Sequence, residues 1–247
     1  MNPDAPLYLH YKNKLSHSPL FTSLPDEIMD KMMTQFRFET WRKKTQSNNT
    51  QIGQRFYVII DGRIESIKTN PNTGKGIALA ILGEGDAFDV ITLLDEKDHD
   101  PIAIALDDVQ LLSAPMKSVR EWLDDYRDFN HNFMPYLAQR MRIRESLISD
   151  LALYYTPTRL ARLLLRYIEC NQNGSSNQQP TIPLFHDLTH ETLAQMLGSA
   201  RQVVNKHLQA LKREGIINTD HHQWTIKDLD ALQEKAGKTL QYFTKQD

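Results

Sequence analysis

The sequence predicts an α+β chain in three parts: a double-stranded β-helix (a jelly roll), a long helix and a winged helix-turn-helix. Three observations carry this. From Phe36 to Pro115 short β-type runs are separated by turn residues. From Ser118 to Tyr155 there is no glycine and one proline, Pro135, with an apolar seam. Leu188–Ile217 reads as two short helices meeting at a glycine turn. Domain boundaries follow: 1–116 for the roll, 117–155 for a dimerisation helix and 156–247 for the helix-turn-helix part.

The bulk numbers leave room for two cores in 247 residues, 40% hydrophobic and 24% charged, as in ordinary globular proteins. Net charge is −2, but residues 156–247 carry 11 Lys+Arg against 9 Asp+Glu, so the carboxyl end is slightly basic. That is compatible with a nucleic-acid partner and no more. A single cysteine, Cys170, excludes an intramolecular disulfide and an all-cysteine iron–sulfur cluster within one chain. No apolar run approaches the roughly 20 residues that span a bilayer. The opening stretch MNPDAPLYLHYKNKL lacks the basic-then-apolar order of a secretion signal, so a cytoplasmic location is expected. No Ser/His/Asp, Cys/His, metal-binding or phosphate-loop constellation occurs at usable spacing, and an enzyme is not expected.

Taken in order, Pro25 with Asp26 and Glu27 suits a helix start, and Ile28, Met29, Met32 and Met33 recur at helical spacing as a core face. Phe56–Ile60 runs to an Asp61-Gly62 turn, and Ile64–Ile67 follows. The polar stretch Asn70–Gly76 is a hairpin loop, with Ile77–Leu82 as the return strand. Gly83–Asp86 is a further turn, and Ile102–Leu106 and Val109–Ala114 close the series. From Met134 the residues Met134, Leu137, Met141, Arg144, Ile148, Leu151 and Tyr155 alternate in steps of three and four. That is the a/d seam of a coiled coil, interrupted at Arg144, and it predicts a parallel homodimer. Thr156-Pro157 breaks this helix, Thr158 starts the next, and 170–179 is a polar loop.

In the helix-turn-helix, Thr189 caps a helix carrying Leu193, Met196 and Leu197, and Gly198 ends it in the left-handed conformation. Ser199 with Gln202 forms a capping box for the next helix, over 200–213. Steps of about 100° put Val203, Val204, His207, Leu208 and Leu211 on a core side and Arg201, Gln202, Asn205, Lys206 and Gln209 on the other. Such long and amide side chains hydrogen-bond base edges and phosphates in a major groove. Thr189, His190 and Lys212 are candidate backbone contacts. IINTDHHQWTI after Gly215 gives two β runs around a polar turn, the wing, and a short helix from Lys227 covers it. Its adjacent His221 and His222 point to opposite sides of a wing, which suits phosphate contacts better than a metal.

The residues Pro19-Leu20-Phe21 with Leu24, Tyr57-x-Ile59-x-x-Gly62, Gly85-Asp86 with Phe88, Arg159-Leu160-Ala161 and LT-x-E-x-LA-x-x-LG-x-x-R-x-x-V from Leu188 to Val204 occur in one order. In that order and spacing they resemble the CRP/FNR superfamily of bacterial transcription regulators over about residues 15–226. The resemblance implies a cyclic-nucleotide-binding-like roll and a homodimer on a near-palindromic DNA operator, and it admits RNA polymerase as a further partner. By position it puts base reading on Arg201, Gln202, Asn205 and Lys206. Members commonly have an acid at the position of Gln202 and an arginine at that of Lys206, so the operator is expected to depart from the usual half-site.

The sensor end departs further. Val90 stands where the cyclic-nucleotide members have a ribose-binding Glu, and Asp100-Pro101 stands for their phosphate-binding Arg-Ser pair. Their hydroxyl pair on the long helix falls near Arg144-Glu145. An acid repels a phosphate and proline removes a donor, so cAMP is not expected as a ligand. No cofactor is expected. His10, His17, His99 and His131 are the sensor-half histidines a haem would use, and no pair has diagnostic spacing. Haem or another small molecule stays open as an alternative signal, and so does a helix-turn-helix that contacts protein.

Overall fold

A computed structural model describes residues 6–47, 54–97, 102–169, 182, 185–219 and 224–237. The chain forms two compact units, residues 1–75 with 79–144, and residues 145–247 with 76–78. Asp100-Pro101, His99, Cys170, the 170–179 loop and His221-His222 lie outside the described residues.

The front unit begins with α1 (Tyr8–Ser16) and α2 (Asp26–Gln35), then β1 (Arg37–Trp41), β2 (Arg55–Asp61), β3 (Ile64–Thr69) and β4 (Gly76–Leu82). β5 (Ala87–Phe88), α3 (Val90–Asp95), β6 (Ile102–Ala105) and β7 (Val109–Pro115) follow. The strands form two sheets, β1-β7-β2-β5 and β4-β3-β6. Strand β2 explains why Phe56–Ile60 is apolar without a break: both faces are covered. Phe56, Val58 and Ile60 pack with the helices, while Tyr57 and Ile59 pack with Ile64, Phe88 and Leu111 of the roll. The Asp61-Gly62 turn needs glycine twice over. Gly62 has φ +85°, and a Cβ there would stand 2.8 Å from the Asp108 carbonyl oxygen.

The helix-side core is aromatic and sulfur-rich. Met29, Met32 and Met33 are buried there with Phe21, Phe36, Trp122, Phe129 and Phe133. Ring centroids lie 5.2 Å apart for Phe21–Phe129 and 5.4 Å for Phe36–Trp122. Each such side chain contributes about 1.5–3 kcal/mol by leaving water. The methionines at helical spacing are therefore core.

The helical stretch expected over 117–155 is two helices, α4 (Met116–Asp125) and α5 (Arg127–Leu153), broken at Tyr126, whose backbone is extended. Asn130 covers the break by donating its Nδ2–H to the Leu123 carbonyl, 3.0 Å. Trp122 and Phe129 both turn into the core, which a straight helix through 126 would not arrange. Pro135 sits inside α5 without ending it. The helix stops at Leu153, so Tyr155 of the expected seam lies beyond it.

The second unit contains the end of α5, α6 (Thr156–Glu169), α7 (His190–Met196), α8 (Arg201–Arg213), the antiparallel pair β8 (Ile217–Asn218) and β9 (Thr225–Ile226), and α9 (Leu229–Lys235). α6 begins at Thr156, two residues before the Thr158 start. It packs on α9 and α8 through buried Leu160, Leu164 and Ile168. Asp228 caps α9, its Oδ1 accepting the Ala231 N–H at 2.9 Å.

Candidate nucleic-acid interface

The turn between α7 and α8 is built from local backbone chemistry. Thr189 is extended and its Oγ1 accepts the Thr192 N–H at 3.1 Å, so the expected cap is present. At the other end Gly198 takes φ +54°. Its N–H donates to the Gln195 carbonyl (3.2 Å), and the Ser199 N–H to that of Ala194 (2.9 Å). These two bonds together are the Schellman arrangement. They correct one expectation. The helix α8 starts one residue later than that expectation: Ala200, not Ser199, holds the cap position, with no side-chain cap. The Ser199 hydroxyl instead lies 3.3 Å from the Thr156 hydroxyl. Gln202 is thereby free of the capping role and exposed.

On α8, Val204, Leu208 and Leu211 are buried, and Arg201, Gln202, Asn205, Lys206 and Gln209 are exposed. His207 is half-buried. Val203 departs from the expectation: it is 39% exposed. Periodicity gives its angle on the helix but not what covers that angle, and here nothing in the core reaches it. The outward face thus holds an apolar side chain among the polar ones.

The face is electropositive. Arg201, Lys206 and Lys212 form no ion pair among the described residues. His190, first residue of α7, has its pKa lowered by burial and then by the charges of Arg201 and Lys212. Arg201 and Lys212, at the two ends of α8, are therefore within electrostatic reach of His190. Cations without an ion pair at these helix ends are a seat for phosphate.

The α5 seam divides into two lines. Met134, Met141 and Ile148 are 50%, 63% and 67% exposed, and Tyr155 beyond the helix 88%. Leu137 packs on the front core, Arg144 lines a cavity, and Leu151 lies against Gly198. One residue in seven is thus open while its alternate is used within the chain.

That cavity encloses about 60 Å³ and is lined by Ser66, Asp89, Val90, Arg140 and Arg144, among others. It has room for a few waters. Asp89 is buried, in the left-handed conformation (φ +64°), and accepts the Thr92 hydroxyl at 2.7 Å. Arg140 Nη1 is 3.4 Å from Asp86 Oδ1, and the buried Tyr136 hydroxyl accepts the Ala87 N–H at 2.9 Å. Burial, with some help from the Arg140 charge, pushes the Arg144 pKa down. Arg144 makes no hydrogen bond or ion pair among the described residues. Ser66 and Arg140, not singled out in the sequence, meet at this cavity from distant parts of the chain.

Known proteins share these parts. Residues 48–126 match the cyclic nucleotide-binding domain model and residues 158–235 the Crp-like helix-turn-helix domain model. A CRP-like cAMP-activated global transcriptional regulator of Mycobacterium tuberculosis is 28% identical over 74% of this chain and 80% of that protein. The Cyclic AMP receptor protein of Thermus thermophilus is 27% identical over 89% and 97%, and a Global nitrogen regulator of Synechocystis 27% over 87% and 93%. In fold, the chain is similar to a CooA mutant from Carboxydothermus hydrogenoformans, with TM-score 0.70 and 22% identity, covering 87% of this chain and 97% of that one. FixK2 from Bradyrhizobium japonicum gives 0.67 and 16%, over 81% and 96%. With a cyclic-nucleotide-binding-type roll ahead of a Crp-like helix-turn-helix, and relatives that are regulators along most of their length, the chain belongs to the CRP/FNR superfamily of transcription regulators.

Proposed function

We propose that this regulator binds a near-palindromic operator as a homodimer and that cAMP is not its ligand. The DNA reading rests on the exposed, unneutralised face of α8. Arg201 and Lys206 supply base and phosphate contacts, Gln202 and Asn205 read base edges, and Thr189, His190 and Lys212 hold the backbone. The open line of Met134, Met141 and Ile148 supports the homodimer, since a second copy of the same helix would take those side chains out of water. Two copies of α8 would then enter successive major grooves about 34 Å apart. RNA polymerase is a further partner of such a dimer.

Two observations support cAMP independence. Val90 offers no hydrogen bond to a ribose, and the carboxylate of Asp89 lines the same small cavity. The relatives named for cAMP make this the sharpest point of difference to test. Calorimetric titration of cAMP should give no binding at micromolar concentrations; micromolar affinity overturns this part. The DNA part is tested by selecting duplexes from a random pool with the purified protein. A two-fold-related motif is expected, and steep salt dependence of binding with it. Recovery of no enriched sequence would remove the operator and favour a helix-turn-helix that meets protein. Sedimentation should give a dimer at micromolar concentration.

The cavity itself favours one second reading, a signal from another small molecule, because Arg140 and Arg144 stand at its wall. A visible spectrum of fresh protein separates haem from colourless ligands.

A further inference from the structure

The second unit contains a buried charge cluster that the DNA face does not use. α5 ends at Leu153 and α6 begins at Thr156, leaving a joint of two residues. A joint that short still allows one helix to swing against the other unless something holds it. Here the carboxylate of Asp150, its side chain 5% exposed, spans the joint. Its Oδ1 accepts from Arg162 Nε at 2.5 Å and its Oδ2 from an Arg166 guanidinium N–H at 2.5 Å. The two arginines are one turn apart on α6, so one carboxylate engages a single face of that helix with both oxygens. The Arg162 guanidinium also lies over the Tyr154 ring, 4.5 Å from its centroid, and one of its N–H groups points to the Ala236 carbonyl at 3.5 Å, just past α9.

The next residue of α5 fixes the other side. Leu151 packs against the helix-turn-helix turn so closely that a Cβ on Gly198 would stand 2.8 Å from its Cδ2. The last turn of α5 is thereby held to α6 and to the turn that launches α8, while α6 reaches the residue after α9. Neither contact involves an exposed side chain of the reading face.

We propose that Asp150 is a positioning residue that fixes the direction of the reading helix relative to the end of α5, and so sets the half-site spacing the dimer accepts. The inference rests on the DNA-binding, dimeric reading above. In a two-fold dimer the α5 helices set the frame, and any looseness at this joint appears as tolerance for wrongly spaced half-sites. Removing the carboxylate would take away the group that ties both guanidinium groups of α6 to the last turn of α5.

The experiment uses full-length protein and the operator recovered from the pool, with versions carrying one or two base pairs added or removed between half-sites. Each base pair shifts one half-site by about 3.4 Å along the axis and rotates it. The native protein should prefer its own spacing by about tenfold or more, the factor a loss near 1.4 kcal/mol gives. Asp150→Asn should cut that preference to about threefold or less while keeping its affinity for a duplex with one half-site. Arg166→Gln, which keeps the Asp150–Arg162 pair, should fall between them, and covers the case in which Asp150→Asn does not fold. Asp150→Glu should recover part of the preference.

An unchanged spacing preference in Asp150→Asn, or in Arg166→Gln where only that variant folds, overturns the proposal. So does an equal loss on every duplex, half-site included, accompanied by a lower melting temperature, since that is the signature of a purely structural ion pair. If the native protein binds no duplex at all, the DNA reading itself fails and this inference falls with it.

Discussion

The half-buried cations of the front unit and the cations of the reading face are treated in opposite ways. In the front unit, every half-buried cation among the described residues has a carboxylate within 4 Å: Lys12 with Asp26 and Asp30, Lys14 with Glu84, Arg55 with Glu39, Arg63 with Asp107, Arg120 with Glu96 and Arg140 with Asp86. The Ser113 hydroxyl adds a hydrogen bond to Glu39. On the reading face Arg201, Lys206 and Lys212 have no such partner among the described residues. Paired charges stabilise a fold at little net cost, whereas unpaired ones gathered on one surface repel each other until a polyanion arrives. The contrast sets charges held within the fold against charges left open on its surface. Arg144, exposed and without an ion pair among the described residues, lies at the cavity.

The largest expected effect lies at a buried acid of the front unit that no cation meets among the described residues. Glu65 on β3 is 4% exposed and its Oε1 has no hydrogen-bond partner among the described residues. Burial raises its pKa from 4.5 to about 7. Between those values the folded chain holds a proton that the unfolded chain has lost, so stability falls as pH rises through that window and then levels off. Glu65→Gln removes the titration. Urea midpoints should show the variant stabilised by up to about 3 kcal/mol near pH 8 and little changed near pH 4, with the native pH slope flattened. An unchanged slope would mean that Glu65 is ionised and solvated.

A smaller effect is expected on the reading face. Arg201→Ala should cost about 1–3 kcal/mol on the selected operator and relax preference at one base position in each half-site. Lys212→Ala should weaken all duplexes alike and lower the salt slope by about one. Lys117→Ala, an exposed cation of the front unit paired only to Glu121 at 3.9 Å, should change neither. Filter binding across a salt series separates the three. Loss of affinity without loss of preference in Arg201→Ala would move Arg201 from base edges to phosphates.

How much was legible follows from how local each cause is. The Thr189 cap and the Gly198 turn depend on neighbours within a few residues, and both were readable. The alternating faces of β2 were readable as an apolar run, since both sides are covered. The role of Ser199 was not, because its hydroxyl faces that of Thr156, 43 positions away in the chain. Neither the break at Tyr126 nor the Asp150 cluster could be read from periodicity. The first is imposed by aromatic packing around Trp122 and Phe129, and the second joins residues 12 and 16 positions apart. At the cavity, Ser66 and Arg140 come together only through the tertiary fold.

Val203 gives the smallest effect and the finest test. Its place on the outward side of α8, beside Gln202 and Lys206, puts two methyl groups where the other residues offer hydrogen bonds. In a major groove the apolar partner for such a side chain is the thymine methyl. Replacing operator thymines by uracil one at a time should therefore find a position in each half-site that costs the native protein about 0.8 kcal/mol, roughly fourfold in affinity, the worth of one buried methyl-sized group. Val203→Ala should lose a similar amount on the thymine operator and be indifferent to uracil at that position. If every uracil is neutral for the native protein while Val203→Ala still loses affinity, Val203 rests on the sugar-phosphate backbone. The division into paired structural charges and open reading residues would then hold, with sequence carried by the polar side chains alone.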